Sequence, residues 1–216
     1  MSKSGSIAAM TSTRGASEER LWQLIELRSQ PNADTKAIDR RIWDLFGERW
    51  AIMFTDLSGF SRGVAAFGIT HFLQVIHEHH RLLYPVIEEH DGIVVGVHAD
   101  SLLVMFRRPM GALECSIAMQ HACQRASRTL RPEEKILLCI GLGYGDVLRV
   151  GGTGLWGAEV NAASKLGEDI AKSHEILVTG AVREAVGDVA GLGFSDLGTA
   201  PPGAKSSFRV EYELAR

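Results

Sequence analysis

The fifteen residues GIVVGVHADSLLVMF, Gly92 to Phe106, decide the fold. Two apolar runs, Gly92 to Val97 and Ser101 to Phe106, flank His98-Ala99-Asp100 and read as two strands of a hairpin. Upstream, Trp50 to Thr55 (WAIMFT) is a short apolar run ending at Asp56, which predicts a buried strand. Ile69 to Glu89 carries the spacing of a long amphipathic helix, and Met110 to Arg128 that of a second. Lys135 to Tyr144 predicts a strand. The order is β-α-β-β-α-β, an α+β ferredoxin-like arrangement. A Gly-rich stretch, Gly151 to Gly157, leads into a helix expected from Ala158 to Lys172. Short elements follow at Glu175 to Thr179, Ala181 to Val186 and Ser207 to Glu213.

The N-terminal region divides in two. Residues 1–17 are small and polar and read as a disordered tail. Residues 18–47 predict a helical extension: Leu21, Leu24, Ile25 and Leu27 share a helix spacing, as do Ile38, Ile42, Leu45 and Phe46. Pro31, Asn32 and Asp34 separate the two helices, and Asp34 or Thr35 is the expected cap of the second. Residues 48–216 form the main domain.

Composition narrows the function. The 216 residues carry a formal net charge of −3, with no basic footprint for nucleic acid. No apolar run approaches the roughly 18 residues needed to span a bilayer. Direct nucleic-acid or membrane binding is therefore not expected. The N-terminus has no continuous apolar core of a signal peptide. Cys115, Cys123 and Cys139 lack paired spacing and read as buried free thiols in a reducing cytoplasm.

Two acids carry the chemistry. Asp56 ends the first strand inside FTDLSGFS, residues 54–61, and Asp100 sits at the hairpin turn. In a ferredoxin-like sheet the first strand and this hairpin are central neighbours, so both carboxylates come to one edge. Two like charges about 4 Å apart repel by roughly 4 kcal/mol at an effective dielectric of 20. A divalent cation relieves that repulsion, and Mg²⁺ is held by one or two carboxylates plus substrate phosphates. Two such ions activate a hydroxyl and stabilise a leaving phosphate oxygen. The plainer alternative is two strand-end acids facing water. Ser58, Gly59, Phe60 and Ser61 follow Asp56 at a helix start, where backbone N–H groups favour phosphate. Farther on, Asn161 and Lys165 are four apart on the predicted helix and share a face.

Together these segments resemble the class III nucleotidyl cyclases. FTDLSGFS is similar to that family's first metal motif and GVHADSLLVMF to its second. GLWGAEVNAASKL resembles the helix carrying the transition-state asparagine and arginine, and Phe194 to Tyr212 its closing hairpin. The resemblance covers about residues 48–213. It implies two divalent cations per site, Mg²⁺ or Mn²⁺, bound by Asp56 and Asp100 with help from the Leu57 carbonyl. It implies that Asn161 orients the ribose and that Lys165, standing where the family has arginine, acts on the phosphates without the planar fork. It also implies a homodimer with two shared sites, the acids from one subunit and the asparagine helix from the other.

The family reads adenine with a lysine before the hairpin turn and an aspartate or threonine before the helix glycine. Those positions are Gly96 and Gly154 here. Gly96, His98, Thr153, Gly154 and Trp156 are the base-pocket candidates, with core packing as the alternative for Trp156. The wording FTDLSGFSRGV, the substituted base positions and the helical extension resemble the pyrimidine cyclases of bacterial antiphage (Pycsar) defence. That resemblance implies a bacterial cytoplasmic uridylate cyclase. It implies UTP (or CTP) as substrate and cyclic UMP as second messenger for an effector the chain does not contact directly. The alternatives are a cytidylate or adenylate cyclase, or a catalytically silent nucleotide-binding module. A GGDEF-type synthase is disfavoured because the sequence has no such motif. His77, Glu78, His79 and His80 suggest a metal site, but Arg81 occupies the place of the second histidine of HExxH. Exposed helix histidines are the expected reading.

Overall fold

The computed structural model describes residues 15–58, 65, 67–131 and 134–213. Helix α1 (Ala16–Arg28) and α2 (Thr35–Phe46) come first. The Asp34 side chain caps α2, accepting from the Ala37 N–H at 3.0 Å. There follow β1 (Gly47–Leu57), α3 (Ile69–Glu89), β2 (Ile93–His98), β3 (Ser101–Phe106), α4 (Pro109–Ser127) and β4 (Leu138–Val150). The chain then forms β5 (Gly154–Trp156), α5 (Ala158–Ser164) and a π-helical turn over Lys165–Ile170. It ends with β6 (Ile176–Thr179), α6 (Gly180–Val186), β7 (Gly193–Asp196) and β8 (Ser207–Glu211). The sheet runs β2-β3-β1-β4-β6-β8-β7, with β5 paired to β4. Its β2-β3-β1-β4 portion is the expected ferredoxin-like order, and β7–β8 is the closing hairpin.

The residues fall into two compact units. The smaller comprises residues up to Glu48 together with Leu148–Leu155. Its core is Leu21, Leu24, Ile42, Phe46 and Val150, with Leu148 packed against it. The end of β4 thus belongs to the same cluster as the helical extension. The larger unit comprises Arg49–Val147 and Trp156–Arg216. Strand β1 is buried on both faces there. Ala51 and Met53 join the core with α3 and α4, while Trp50, Ile52 and Phe54 are buried on the opposite side. That double burial is why WAIMFT is continuously apolar rather than alternating. The Arg107 guanidinium sits 3.6 Å from the centroid of the Trp50 ring, a cation–π contact.

Two stretches differ from the expectation. Strand β4 continues to Val150 instead of stopping at Tyr144. Gly141 and Gly143 do not interrupt it; they make room for α5. A Cβ on Gly141 would lie 2.1 Å from the Ala163 carbonyl oxygen, and one on Gly143 2.3 Å from that of Glu159. The connection after Gly145, expected to be trimmed, is a β4–β5 pair turning through Gly151 at φ +65°. The helix expected to run unbroken from Ala158 widens into the π turn at Lys165, where the Ala171 N–H returns to the Leu166 carbonyl at 2.8 Å. Among the described residues no helix is long and apolar enough to cross a membrane.

The three cysteines are buried and free. The histidines of α3 are not all exposed as expected: His79 is fully buried, and neither ring nitrogen has a hydrogen-bond partner. Helical phase explains this, because His79 lies on the stripe with Val75, Ile76, Leu83 and Ile87. Burial, with a smaller contribution from His80, pushes its pKa down from 6.5 to about 3. The neutral ring's contribution to stability is fully present above pH 6.5 and is lost as pH falls toward 3. Urea unfolding at pH 7 and pH 5 tests this. The native protein should lose about 2 kcal/mol more over that interval than His79→Leu does. Equal losses would show that His79 does not titrate on unfolding.

Candidate active site

The register of β1 against β3 brings the acids together. Thr55 pairs with Leu102, so the next position places Asp56 opposite Ser101, adjacent to Asp100. The Thr55 hydroxyl accepts from the Leu102 N–H at 3.1 Å, and the Ser101 hydroxyl donates to Asp56 Oδ1 at 3.2 Å. The β2–β3 turn holds only Ala99 and Asp100, with Ala99 at φ +53°. Although Asp100 is a turn residue, it is only 7% exposed, and its Oδ2 is buried without a partner.

The electrostatics follow from this packing. Burial, and then the Asp100 charge, push the Asp56 carboxyl up to about 6. The Ser101 hydrogen bond and the Leu57 backbone offset part of that rise, and the Glu168 charge adds to it. Asp100 is also raised, chiefly by burial, with Glu168 adding and the Leu57 backbone again opposing. An orphaned carboxylate oxygen beside a second carboxylate is a site that a cation satisfies. Two carboxylates and the Leu57 carbonyl form an all-oxygen donor set that suits Mg²⁺ or Mn²⁺ better than a soft metal.

Ser58 follows directly, and its N–H donates to the Leu137 carbonyl at 2.9 Å, which fixes the start of the loop after β1. Gly59, Phe60 and Ser61 lie outside the described residues.

Helix α5 is anchored by Glu159, a residue the sequence analysis did not single out. Its half-buried carboxylate accepts from the Tyr144 N–H at 3.1 Å and the Thr179 hydroxyl at 2.7 Å. Burial raises its pKa. No local sequence pattern marks it, because both partners are remote in the chain. The anchor leaves Asn161 and Lys165 exposed on one face, with the Lys165 N–H returning to the Asn161 carbonyl. Lys165 Nζ pairs with Asp169 Oδ2 at 2.6 Å. Among the described residues, neither Asn161 nor Lys165 bonds to Asp56 or Asp100. The chain thus brings the two acids together but holds the asparagine and lysine on a separate face.

The base-pocket candidates take different positions. Gly96 follows a β-bulge in β2, and a Cβ there would lie 3.2 Å from His98 Nε2. The exposed His98 imidazole therefore occupies space beside Gly96. Thr153 and Gly154 belong to the smaller unit, in the β4–β5 turn and at the start of β5. Trp156 ends β5 and is 45% exposed, which removes core packing as its role.

A family model described as the adenylate and guanylate cyclase catalytic domain matches residues 47–199. The chain is 30% identical over 134 residues to the serine/threonine-protein kinase pkn2 of Myxococcus xanthus, covering 62% of this chain and 16% of that protein. It is 28% identical over 148 residues to the putative adenylate cyclase 3 of Rhizobium meliloti, covering 68% and 25%. It spans only a minor part of the length of the curated relatives it matches. A crystal structure of an adenylate/guanylate cyclase/hydrolase from Silicibacter pomeroyi is 28% identical, with a TM-score of 0.66 over 76% of this chain and 96% of that one. With the match spanning most of its length, the chain belongs to the adenylate and guanylate cyclase catalytic domain family.

Proposed function

We propose that the chain cyclises a nucleoside triphosphate, preferring UTP, to the 3′,5′-cyclic monophosphate and pyrophosphate. The observation that carries this reading is the abutting Asp56–Asp100 pair with its orphaned Asp100 Oδ2. In the proposed reaction the ribose 3′-oxygen loses its proton and bonds to the α-phosphorus, and the bond from that phosphorus to the bridging oxygen of pyrophosphate breaks. Divalent cations held by Asp56, Asp100 and the Leu57 carbonyl would supply an acidified 3′-hydroxyl and charge compensation for the leaving group. Asn161 orients the ribose. Lys165 neutralises charge on the phosphates once it turns from Asp169, and Ser58 begins the phosphate-facing loop with Gly59, Phe60 and Ser61.

The site is proposed to be shared between two copies. This is supported by the exposed face that carries Asn161 and Lys165 without bonds to the acids of its own chain. The preference for UTP is supported by Gly96, which offers a purine edge no side chain, and by the imidazole of His98 beside it. A buried base edge left unpaired costs roughly 1–3 kcal/mol, enough for a tenfold or larger preference. Thr153, Gly154 and Trp156 remain candidates for the rest of the pocket. The proposed role of the product is a second messenger in antiphage defence, read by a separate effector, and it rests on the wording of residues 54–64. The second reading is ATP, favoured by the names of the relatives.

Two experiments test these proposals. Incubation with equimolar ATP, GTP, CTP and UTP in Mn²⁺ and in Mg²⁺, followed by chromatography, should give cyclic UMP as the main product. Dominant cyclic AMP would overturn the base preference, and no cyclic product from any nucleotide would overturn the reaction. Asp56→Asn and Asn161→Ala should each lower turnover about a hundredfold or more with the fold intact. Mixing the two variants should restore part of the activity, because one site of a heterodimer then escapes both changes. Subunit exchange without recovery would exclude the shared site.

A further inference from the structure

The π turn at Lys165–Ile170 does more than end a helix. Gly167 lies flat against the sheet: a Cβ there would meet the Phe54 carbonyl oxygen at 2.7 Å and the Gly141 nitrogen at 3.1 Å. The helix is therefore pinned two residues before Asp56 on β1. Glu168 follows directly. Its Oε2 accepts from the Ser164 hydroxyl at 2.8 Å, which fixes the carboxylate one turn back along the helix. Its negative charge reaches both Asp56 and Asp100 and works against the ionisation of each. The next acid, Asp169, turns the other way and pairs with Lys165. Two adjacent acids thus serve different groups, a division made by the wider π turn. Asp100 supplies the independent sign of a ligand here, because its Oδ2 is buried and unpartnered in a residue only 7% exposed.

We propose that Glu168 is a positioning residue, a third carboxylate that strengthens divalent-cation binding at the Asp56–Asp100 pair from the outer sphere. This rests on the reading above that the pair holds cations. A small hard cation keeps several of its waters, and an outer carboxylate accepts hydrogen bonds from them. Three carboxylates within electrostatic reach repel one another in the metal-free protein, and the cation turns each of those repulsions into an attraction. Residues of this outer kind typically change metal affinity by about ten- to a hundredfold when altered. Glu168 is exposed and keeps its Ser164 contact from outside the core, so its removal leaves the fold intact.

The test is thermal unfolding of the full chain against Mn²⁺ concentration, without nucleotide. Half-maximal stabilisation of Glu168→Gln should need about tenfold more Mn²⁺ than the native protein. Glu168→Asp, which keeps the charge, should recover most of that loss, and Asp169→Asn should respond like the native chain. Asp100→Asn should lose the Mn²⁺ response altogether. If Asp100→Asn keeps the full response, the cation site itself is misassigned. If Asp100→Asn loses it while Glu168→Gln responds at native concentrations, the role of Glu168 alone is overturned. Equal losses in Glu168→Gln and Glu168→Asp would mark a structural role and overturn it as well.

Discussion

Two carboxylates held side by side against their own repulsion are the constraint on which the rest of this structure turns. The antiparallel register of β1 and β3 sets Asp56 opposite Ser101, and a two-residue turn delivers Asp100 next to it. A chain free to relax would part these groups or hydrate them. Instead the turn is buried, one oxygen of Asp100 is left without a partner, and Asp56 is pushed up to about 6. The cost is imposed by the central place of these strands in the sheet. It is borne by the apolar packing of both faces of β1, from Trp50 and Ile52 on one side to Ala51 and Met53 on the other. Strain concentrated at a polar edge of a rigid sheet is a mark of a functional site.

The second half of the candidate site is placed by close approach. Gly141 and Gly143 on β4, and Gly167 in the π turn, let α5 and its continuation lie directly on the sheet backbone. Glu159 then locks the helix to Tyr144 and Thr179. With its inner side fixed, the helix has only one face for Asn161 and Lys165, and that face is exposed. A side chain at Gly141 would push the helix out by the width of a backbone atom and move the asparagine and lysine with it.

Much of this was legible in the sequence, because apolar patterning records burial. WAIMFT, the 69–89 periodicity and the hairpin around Asp100 each gave elements that the structure reproduces closely, including α3 at Ile69–Glu89. The two acids could be paired because strand order follows from the β-α-β-β-α-β sequence of elements. What escaped depended on long-range packing. Gly143 and Gly145 read as the end of a strand, although the strand continues through them. The π turn has no local signal, since its cause is contact between Gly167 and residues on β1 and β4. Without that turn, neither the division between Glu168 and Asp169 nor the anchoring of Glu159 can be anticipated. His79 was misjudged because a run of polar letters hid its place on the buried stripe.

The central claim is that the Asp56–Asp100 edge exists to hold divalent cations. The most direct test is anomalous X-ray scattering at the manganese edge from crystals grown with Mn²⁺ and a non-reacting nucleoside triphosphate analogue. The account predicts manganese peaks about 2.0–2.3 Å from carboxylate oxygens of both Asp56 and Asp100, the distance range of hard divalent cations on oxygen. Ordered analogue with manganese bound away from both carboxylates would contradict it.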